Sequence, residues 1–387
     1  CTVGRALMVG AFRRLLTGLL SISLGVVVGL ATAALLGAFP SPVVVEGLTA
    51  PRGLTPTNDG GLLIAEVGAG RLLEMSPEGD VSVIADNLPF TLISGPQNKY
   101  PAGPSAVIRR DGEYFYVVGG YIEQGFSELY RLEPGGTPEP MTGQEISNRF
   151  GSNAVTNPYD LVPASGGGFL VSDSGINAIL YISEDGEVFE YLDFPSRDNP
   201  QPSEGPAEFE VVPTGIARGP DHAVYVASLT GFPYPEGAAQ VYRIEDVTAT
   251  GETSVDGEFT VFADGFTAAT DLVFDADGSM LVTEYSTDMR ALAEDDIREA
   301  QRVPGRLVRW RDGEITVVAD GLVSPSSVTI TDGRIFVSEE FAGRVTEIPT
   351  GSSGANAAAW VWAVLAGAAA AVLALLAARM FSPGRIG

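Results

Sequence analysis

Acidic residues recur at one place in a repeated pattern. Glu66, Asp173, Glu284 and Glu339 each end the second strand of a repeat, where Gly119 and Ser228 stand in the other two repeats. Carboxylates converging on one axis would bind a hard cation through oxygen, and Ca2+ is the ion expected if any metal binds. Left unpaired, they would repel one another and raise each other's pKa. The plainer alternative is that each accepts backbone N–H bonds from a neighbouring repeat. Asp160 and Asp271 lie near the starts of first strands, on the face expected to carry the four acids, and are candidates for touching a ligand. Phe232 and Tyr234, interleaved with Pro233 and Pro235, could offer a stacking platform to a sugar or an aromatic ligand. Their alternative is a rigid loop packed on its own repeat.

The chain has a single histidine, His222, in Gly219-Pro220-Asp221-His222-Ala223. It fills the slot that Gly60, Gly112, Gly278 and Gly333 fill in other repeats, so it reads as a turn residue. That argues against a histidine general base, a Ser/His/Asp triad and imidazole-ligated metals.

The elements that must position these residues are short strands. Repeats open at Pro51, Pro104, Pro158, Pro213, Ala269 and Pro325, with spacings of 53, 54, 55, 56 and 56 residues. A near-constant period of this size, built from strands, is the mark of a β-propeller. The fold expected is therefore all-β, a six-bladed propeller over residues 43–350. Within a blade, strands A to D run outward from the axis. Blade 1 reads Gly53-Leu54, an Asp59-Gly60 turn, Leu62 to Ala65, Arg71 to Met75, a Glu78-Gly79 turn and Val81 to Ile84. Strand D ends in a tag, Ala85-Asp86-Asn87-Leu88, repeated at Ala263 to Phe266 and Ala319 to Leu322. A similar tag, Val44 to Leu48, precedes the first blade, and the last blade lacks a fourth strand. Val43 to Leu48 is thus expected to close the ring and remove its free edges. The long B–C loops, Gly119 to Ser127, Leu229 to Ala238 and Tyr285 to Pro304, share the top face with the D–A loops. A short helix is expected over Arg290 to Ala300.

Two uncharged apolar runs flank the propeller, 15–39 and 357–378, of 25 and 22 residues. Each exceeds the roughly 20 residues that cross a bilayer as a helix. The first is read as an uncleaved anchor in preference to a signal sequence. Arg13 and Arg14 before it, and Arg379 and Arg385 after the second, put residues 1–14 and the tail 379–387 in the cytoplasm. Residues 351–356 then form a linker, and the propeller is extracytoplasmic with its top face away from the cell membrane. Between the runs lie all 49 acids and 18 of the 23 basic residues, a formal charge of about −31. Such a charge argues against nucleic acid and anionic lipid as partners of the domain. No disulfide is available, since Cys1 is the sole cysteine.

The blade core Val171 to Leu180 resembles an NHL-type repeat. Asn157 to Val162, Phe169 to Asp173, Val212 to Ala217 and above all Val224 to Arg243 resemble the ScyD/ScyE family of exported bacterial propellers. The resemblance spans roughly residues 43–350 and implies a fold without implying a reaction. The reading favoured from sequence is a membrane-anchored propeller that binds a small molecule or protein on its top face without catalysis. The alternative is a divalent-cation-dependent hydrolase of the lactonase kind. Against it, the second residues of the A strands are Arg52, Ser105, Tyr159, Thr214, Thr270 and Ser326, none an acid or amide. A quinone-dependent sugar dehydrogenase is a further alternative, weakened by the lack of a catalytic histidine.

Overall fold

In the computed structural model the described residues are 42–94, 99–119, 127–143, 146, 156–245, 258–294 and 303–349. The two apolar runs and the predicted linker and tails lie outside them, as do the middles of two long B–C loops. Among the described residues no helix is long and apolar enough to cross a membrane.

Among the described residues, six antiparallel blade sheets and one two-stranded hairpin follow one another along the chain. β1 (Val43–Glu46) leads into blade 1, made of β2 (Pro51–Pro56), β3 (Leu62–Glu66), β4 (Arg71–Met75) and β5 (Val81–Ala85). β6 (Thr91–Ser94) pairs with the start of the long β7 (Lys99–Arg110), which continues into blade 2 beside β8 (Glu113–Gly119), β9 (Glu128–Leu132) and β10 (Glu139–Pro140). Blade 3 is β11 (Pro158–Pro163), β12 (Phe169–Asp173), β13 (Ala178–Ile182) and β14 (Val188–Asp193). A small hairpin, β15 (Arg197–Asp198) and β16 (Glu208–Phe209), precedes blade 4: β17 (Pro213–Arg218), β18 (Val224–Ser228), β19 (Ala239–Ile244) and β20 (Phe259–Phe266). Blade 5 is β21 (Ala269–Phe274), β22 (Met280–Glu284), β23 (Gly305–Arg311) and β24 (Glu314–Leu322), with helix α1 (Met289–Glu294) in its B–C connection. The rest of the expected helix, from residue 295, lies outside the described residues. Blade 6 is β25 (Pro325–Thr331), β26 (Arg334–Glu339) and β27 (Arg344–Ile348).

Blade 6 takes its fourth strand from the other end of the domain. β1 pairs antiparallel with β27, placing Val45 opposite Val345 and Glu46 opposite Arg344. The tag is explained by its backbone. Gly47, Asn87, Gly265 and Gly321 all have positive φ, a conformation cheap only for glycine and, less so, asparagine. The turn they make drops Leu48, Leu88, Phe266 and Leu322 back toward the sheet. The Leu48 N–H then donates to the Gly343 carbonyl (2.9 Å), as the Leu88 N–H does to that of Gly70 (3.0 Å). His222 has φ +67°, as its glycine-like turn slot demands.

The core is divided among the wedges between blades. Strand B is buried on both faces, which is why Leu62-Leu63-Ile64-Ala65 reads as unbroken apolar sequence. Val45, Leu54, Leu62, Phe336 and Val345 fill the wedge between blades 6 and 1. Ile179, Tyr191, Ile216 and Tyr242 belong to the wedge between blades 3 and 4. Each wedge needs both its blades, so the stability of the ring depends on closure.

Candidate functional site

The four acids at the ends of the B strands do not converge. Each is fully buried and bonded within its own surroundings. Glu66 accepts the Thr49 N–H and the Arg71 Nε–H, both at 2.6 Å. Glu284 accepts the Thr267 N–H (2.7 Å) and pairs with Arg306. Glu339 accepts the Val323 N–H (2.8 Å), two N–H bonds from Arg344 (2.6 and 2.8 Å) and the Thr346 hydroxyl (2.6 Å). The arginines sit directly opposite in register, at the first or second position of strand C. Each carboxylate thus anchors the loop that enters its blade. Asp173 does the same for Asn157 (2.7 Å), Gly175 and Ile176. Ala178 stands where the other three carry arginine, and burial lifts the Asp173 pKa to about 6. Among the described residues no group of three or more His, Cys, Asp or Glu side chains could hold a metal ion. The expected cage is therefore absent there, and the plainer role as backbone acceptors is the one the geometry supports.

The axis is lined instead by the A strands. At their second position, four hydroxyls each donate to the first carbonyl of the next blade. Ser105 bonds Pro158 O (2.8 Å), Thr214 bonds Ala269 O (2.9 Å), Thr270 bonds Pro325 O (2.9 Å) and Ser326 bonds Pro51 O (3.3 Å). Blades 1 and 3 break this ring, because Arg52 and Tyr159 are too long for the bond. Both side chains line an axial cavity, with Asp160, Asp271, Ser326 and Ser327.

Third-position side chains also reach to the next blade. Asp160 accepts the Ile216 N–H (3.0 Å), Asp271 accepts the Val328 N–H (2.9 Å) and the Ser327 hydroxyl (2.5 Å), and Ser327 accepts the Leu54 N–H (3.1 Å). Blade 4, between the two aspartates, has Gly215 at this position. A Cβ there would lie 2.3 Å from Asp271 Oδ1, so the absent side chain leaves the room that carboxyl occupies. The two predicted ligand-touching acids are thereby brought into one cavity. Burial raises the Asp160 pKa to about 6. Burial, and then the charge on Asp160, raises that of Asp271 to about 8.

Arg52 completes the site. Its Nη2 donates to Glu340 at 2.8 Å, its guanidinium carbon stands 5.5 Å from the centre of the Tyr159 ring, and its Nε is buried with no partner. Burial works against the Arg52 charge, but Glu340 together with Tyr159 and Tyr285 offsets it and the pKa stays above its usual value. The Tyr159 hydroxyl donates across the axis to Ser326 O (3.4 Å), and burial raises its pKa and that of Tyr285 nearby. Sequence reasoning singled out the wrong phase here. Side chains alternate along a strand, so Glu284 and Glu339 point into their loops while the following residues, Tyr285 and Glu340, reach the guanidinium of Arg52. The detectable signal was the break in the hydroxyl series at Arg52 and Tyr159.

Phe232 and Tyr234 are not part of the cavity lining. Their loop is tied to the segment after β16, Gly231 N–H to Glu210 O (2.8 Å) and Thr230 N–H to Val211 O (3.1 Å). Phe232 is 53% exposed, and its ring meets that of Tyr234 edge-on at 6.1 Å.

The cavity holds about 240 Å3 of atom-free space counting its open mouth. Much of that space is open solvent, so the occupant of the enclosed part must be small. Ca2+ takes about six to eight oxygen ligands. The cavity offers Asp160, Asp271 and Ser327, whose oxygens already accept N–H bonds, with a guanidinium beside them. That donor set does not fit a divalent ion.

The raised pKa of Asp271 has a consequence for stability. Its folded value, about 8, lies above the ordinary value of 3.8, so the folded state keeps a proton that the unfolded state loses. Its contribution is fully present below about pH 4 and is lost as pH rises to about 8. Asp271→Asn removes the titration but leaves one oxygen for N–H bonds that reach both, from Val328 to Oδ2 and from Leu272 to Oδ1. The variant is expected to lose less stability than the parent between pH 4.5 and pH 8.5, whatever the cost of the lost bond. Urea unfolding at the two pH values measures this. A variant with the same pH dependence as the parent would mean that the carboxyl is not strained.

A scan against protein-family models finds no match, and a search of curated proteins finds none. Solved structures match over most of the chain. A calcium-binding protein, regucalcin, from Agrobacterium tumefaciens superposes with a TM-score of 0.52 at 14% identity, covering 80% of this chain and 93% of that one. A gluconolactonase from Xanthomonas campestris gives 0.51 at 14%, covering 82% and 92%. A protein of unknown function from Bacteroides thetaiotaomicron gives 0.51 at 12%, covering 79% and 72%. At such identities the likeness shows the fold. The chain is a six-bladed β-propeller with a carboxyl pair at its axis, and its resemblance to the ScyD/ScyE family rests on its own sequence alone.

Proposed function

We propose that the chain is a hydrolytic enzyme of the lactonase kind, with the Asp160–Asp271 pair as its acid–base centre. One observation carries the reading: two buried carboxyls share a cavity, and the charge on Asp160 raises the pKa of Asp271 beyond what burial alone does. Near neutral pH one is ionised and the other holds its proton, the division of labour that acid–base catalysis needs. Asp160 takes a proton from water as the water oxygen bonds to the acyl carbon. The ring C–O bond breaks, and Asp271 gives its proton to the departing oxygen. Proton transfer from Asp160 to Asp271 restores the pair. The gluconolactonase of like fold makes a lactone the first substrate to try. No step is assigned to a metal.

Lactone opening followed by pH-stat at pH 7 tests this. Asp160→Asn is expected to lower turnover by about 10²–10⁴-fold. Asp271→Asn should lower it as well, because the proton given to the departing oxygen is gone. Chelator should leave the rate unchanged. A wild-type protein inert toward every lactone, or an Asp160→Asn variant as fast as the parent, would overturn the proposal. Inertness combined with binding at the exposed Phe232 would favour the second reading, a non-catalytic binding module.

A further inference from the structure

The axial cavity has an uneven set of charges. Arg52 is the guanidinium of the lining and bonds Glu340 beside it, while Asp160 and Asp271 share the lining without bonding it. Tyr159 and Tyr285 are the remaining titratable groups facing it, and both stay neutral because burial raises their pKa. The Arg52 Nε–H is buried without an acceptor, although the side chain as a whole keeps 12% of its surface exposed. A buried donor of this kind costs free energy until an oxygen reaches it. The Tyr159 ring lies against the guanidinium, whose planar fork matches that of a carboxylate.

We infer that the axial cavity receives a small carboxylic acid, bound as its carboxylate on Arg52 with uptake of one proton by the Asp160–Asp271 pair. Charge selects this ligand class. A neutral ligand would leave the cavity charge as it is, and a dianion such as phosphate would need two protons where the pair has room for one. A monoanion is balanced when Asp160 takes the proton it lacks near neutral pH. The small cavity volume excludes long acids. In the proposed hydrolysis the acid is the reaction product, and the inference rests on that reading only for the identity of the acid.

The probe is glycolate, titrated calorimetrically at pH 6, 7 and 8 in buffers of different ionisation enthalpy. Affinity is expected to rise by up to about tenfold per pH unit as pH falls from 8 to 6, with about one proton taken up per glycolate at pH 7. Neutral glycolamide should not bind. Arg52→Gln should lose at least about tenfold in affinity. Because that change strands Glu340, the paired variant Arg52→Gln/Glu340→Gln serves as a second test that leaves no lone buried charge. The double variant Asp160→Asn/Asp271→Asn should take up no proton. Failure of glycolate to bind at any pH, binding independent of pH, equal binding of glycolamide, or full affinity in the Arg52→Gln/Glu340→Gln variant would each overturn the inference. Proton-linked glycolate binding without lactone turnover would end the proposed reaction and leave this inference standing. Turnover without proton-linked binding would do the reverse.

Discussion

Glu339→Gln is expected to destabilise the propeller by about 3 kcal/mol, and added Ca2+ should not restore the loss. Glu339 is fully buried and receives a backbone N–H, two N–H bonds from Arg344 and a hydroxyl. Glutamine can keep one accepting oxygen, but its amide N–H groups would face the guanidinium donors. Breaking a buried ion pair costs about 3–5 kcal/mol, and the partial exposure of Arg344 places this case at the lower end. The effect extends to the site, because Glu340 follows in the chain and holds Arg52. Glycolate affinity should fall along with stability. Urea unfolding with Ca2+ and with chelator decides the matter. A loss under about 1 kcal/mol, or a loss that chelation of the parent reproduces, would return Glu339 to the role of metal ligand.

The fold was legible because its signals are local. Asp-Gly turns, a tag needing positive φ before a buried Leu or Phe, and a period of 53–56 residues each have a short-range cause. Even ring closure follows from counting strands. The site was only half legible. Asp160 and Asp271 could be named from their shared third position, but their meeting depends on Gly215 between them leaving space across the axis. That is a property of ring radius, which no stretch of sequence encodes. The strand-B acids failed for a different reason, an error of one residue in phase. A carboxylate at a strand end is drawn to the loop N–H groups beside it, and the next residue inherits the axis. The hairpins β6–β7 and β15–β16 are hard to read from sequence because β6, β15 and β16 are short and β7 runs on without a break into its blade. Phe232 was correctly read as a loop residue, but its loop is tied to its neighbour and stands apart from the cavity lining.

A chain beginning at Thr49 is expected to lose cooperative folding and to aggregate. Without β1, strand β27 presents an unpaired edge, and exposed edges invite pairing with other chains. Val45 leaves the wedge that it fills with Leu54, Leu62, Phe336 and Val345, and the flanking Val44 and Leu48 go with it. Each such side chain contributes about 1.5–3 kcal/mol on burial. Their sum approaches the whole net stability of a domain, about 5–15 kcal/mol. The same seam bears on the site. Ser326 to Pro51 O and Arg52 to Glu340 both cross between blades 6 and 1, so an open ring would release Arg52. Rejoining residues 42–48 after Ile348 by a short linker supplies the strand from the other side and should restore both the melting transition and glycolate binding. A truncated chain that stays monomeric with an unchanged Tm would show that the first strand is ornamental. A rejoined chain that melts normally yet binds no glycolate would place the defect in the site and leave closure intact.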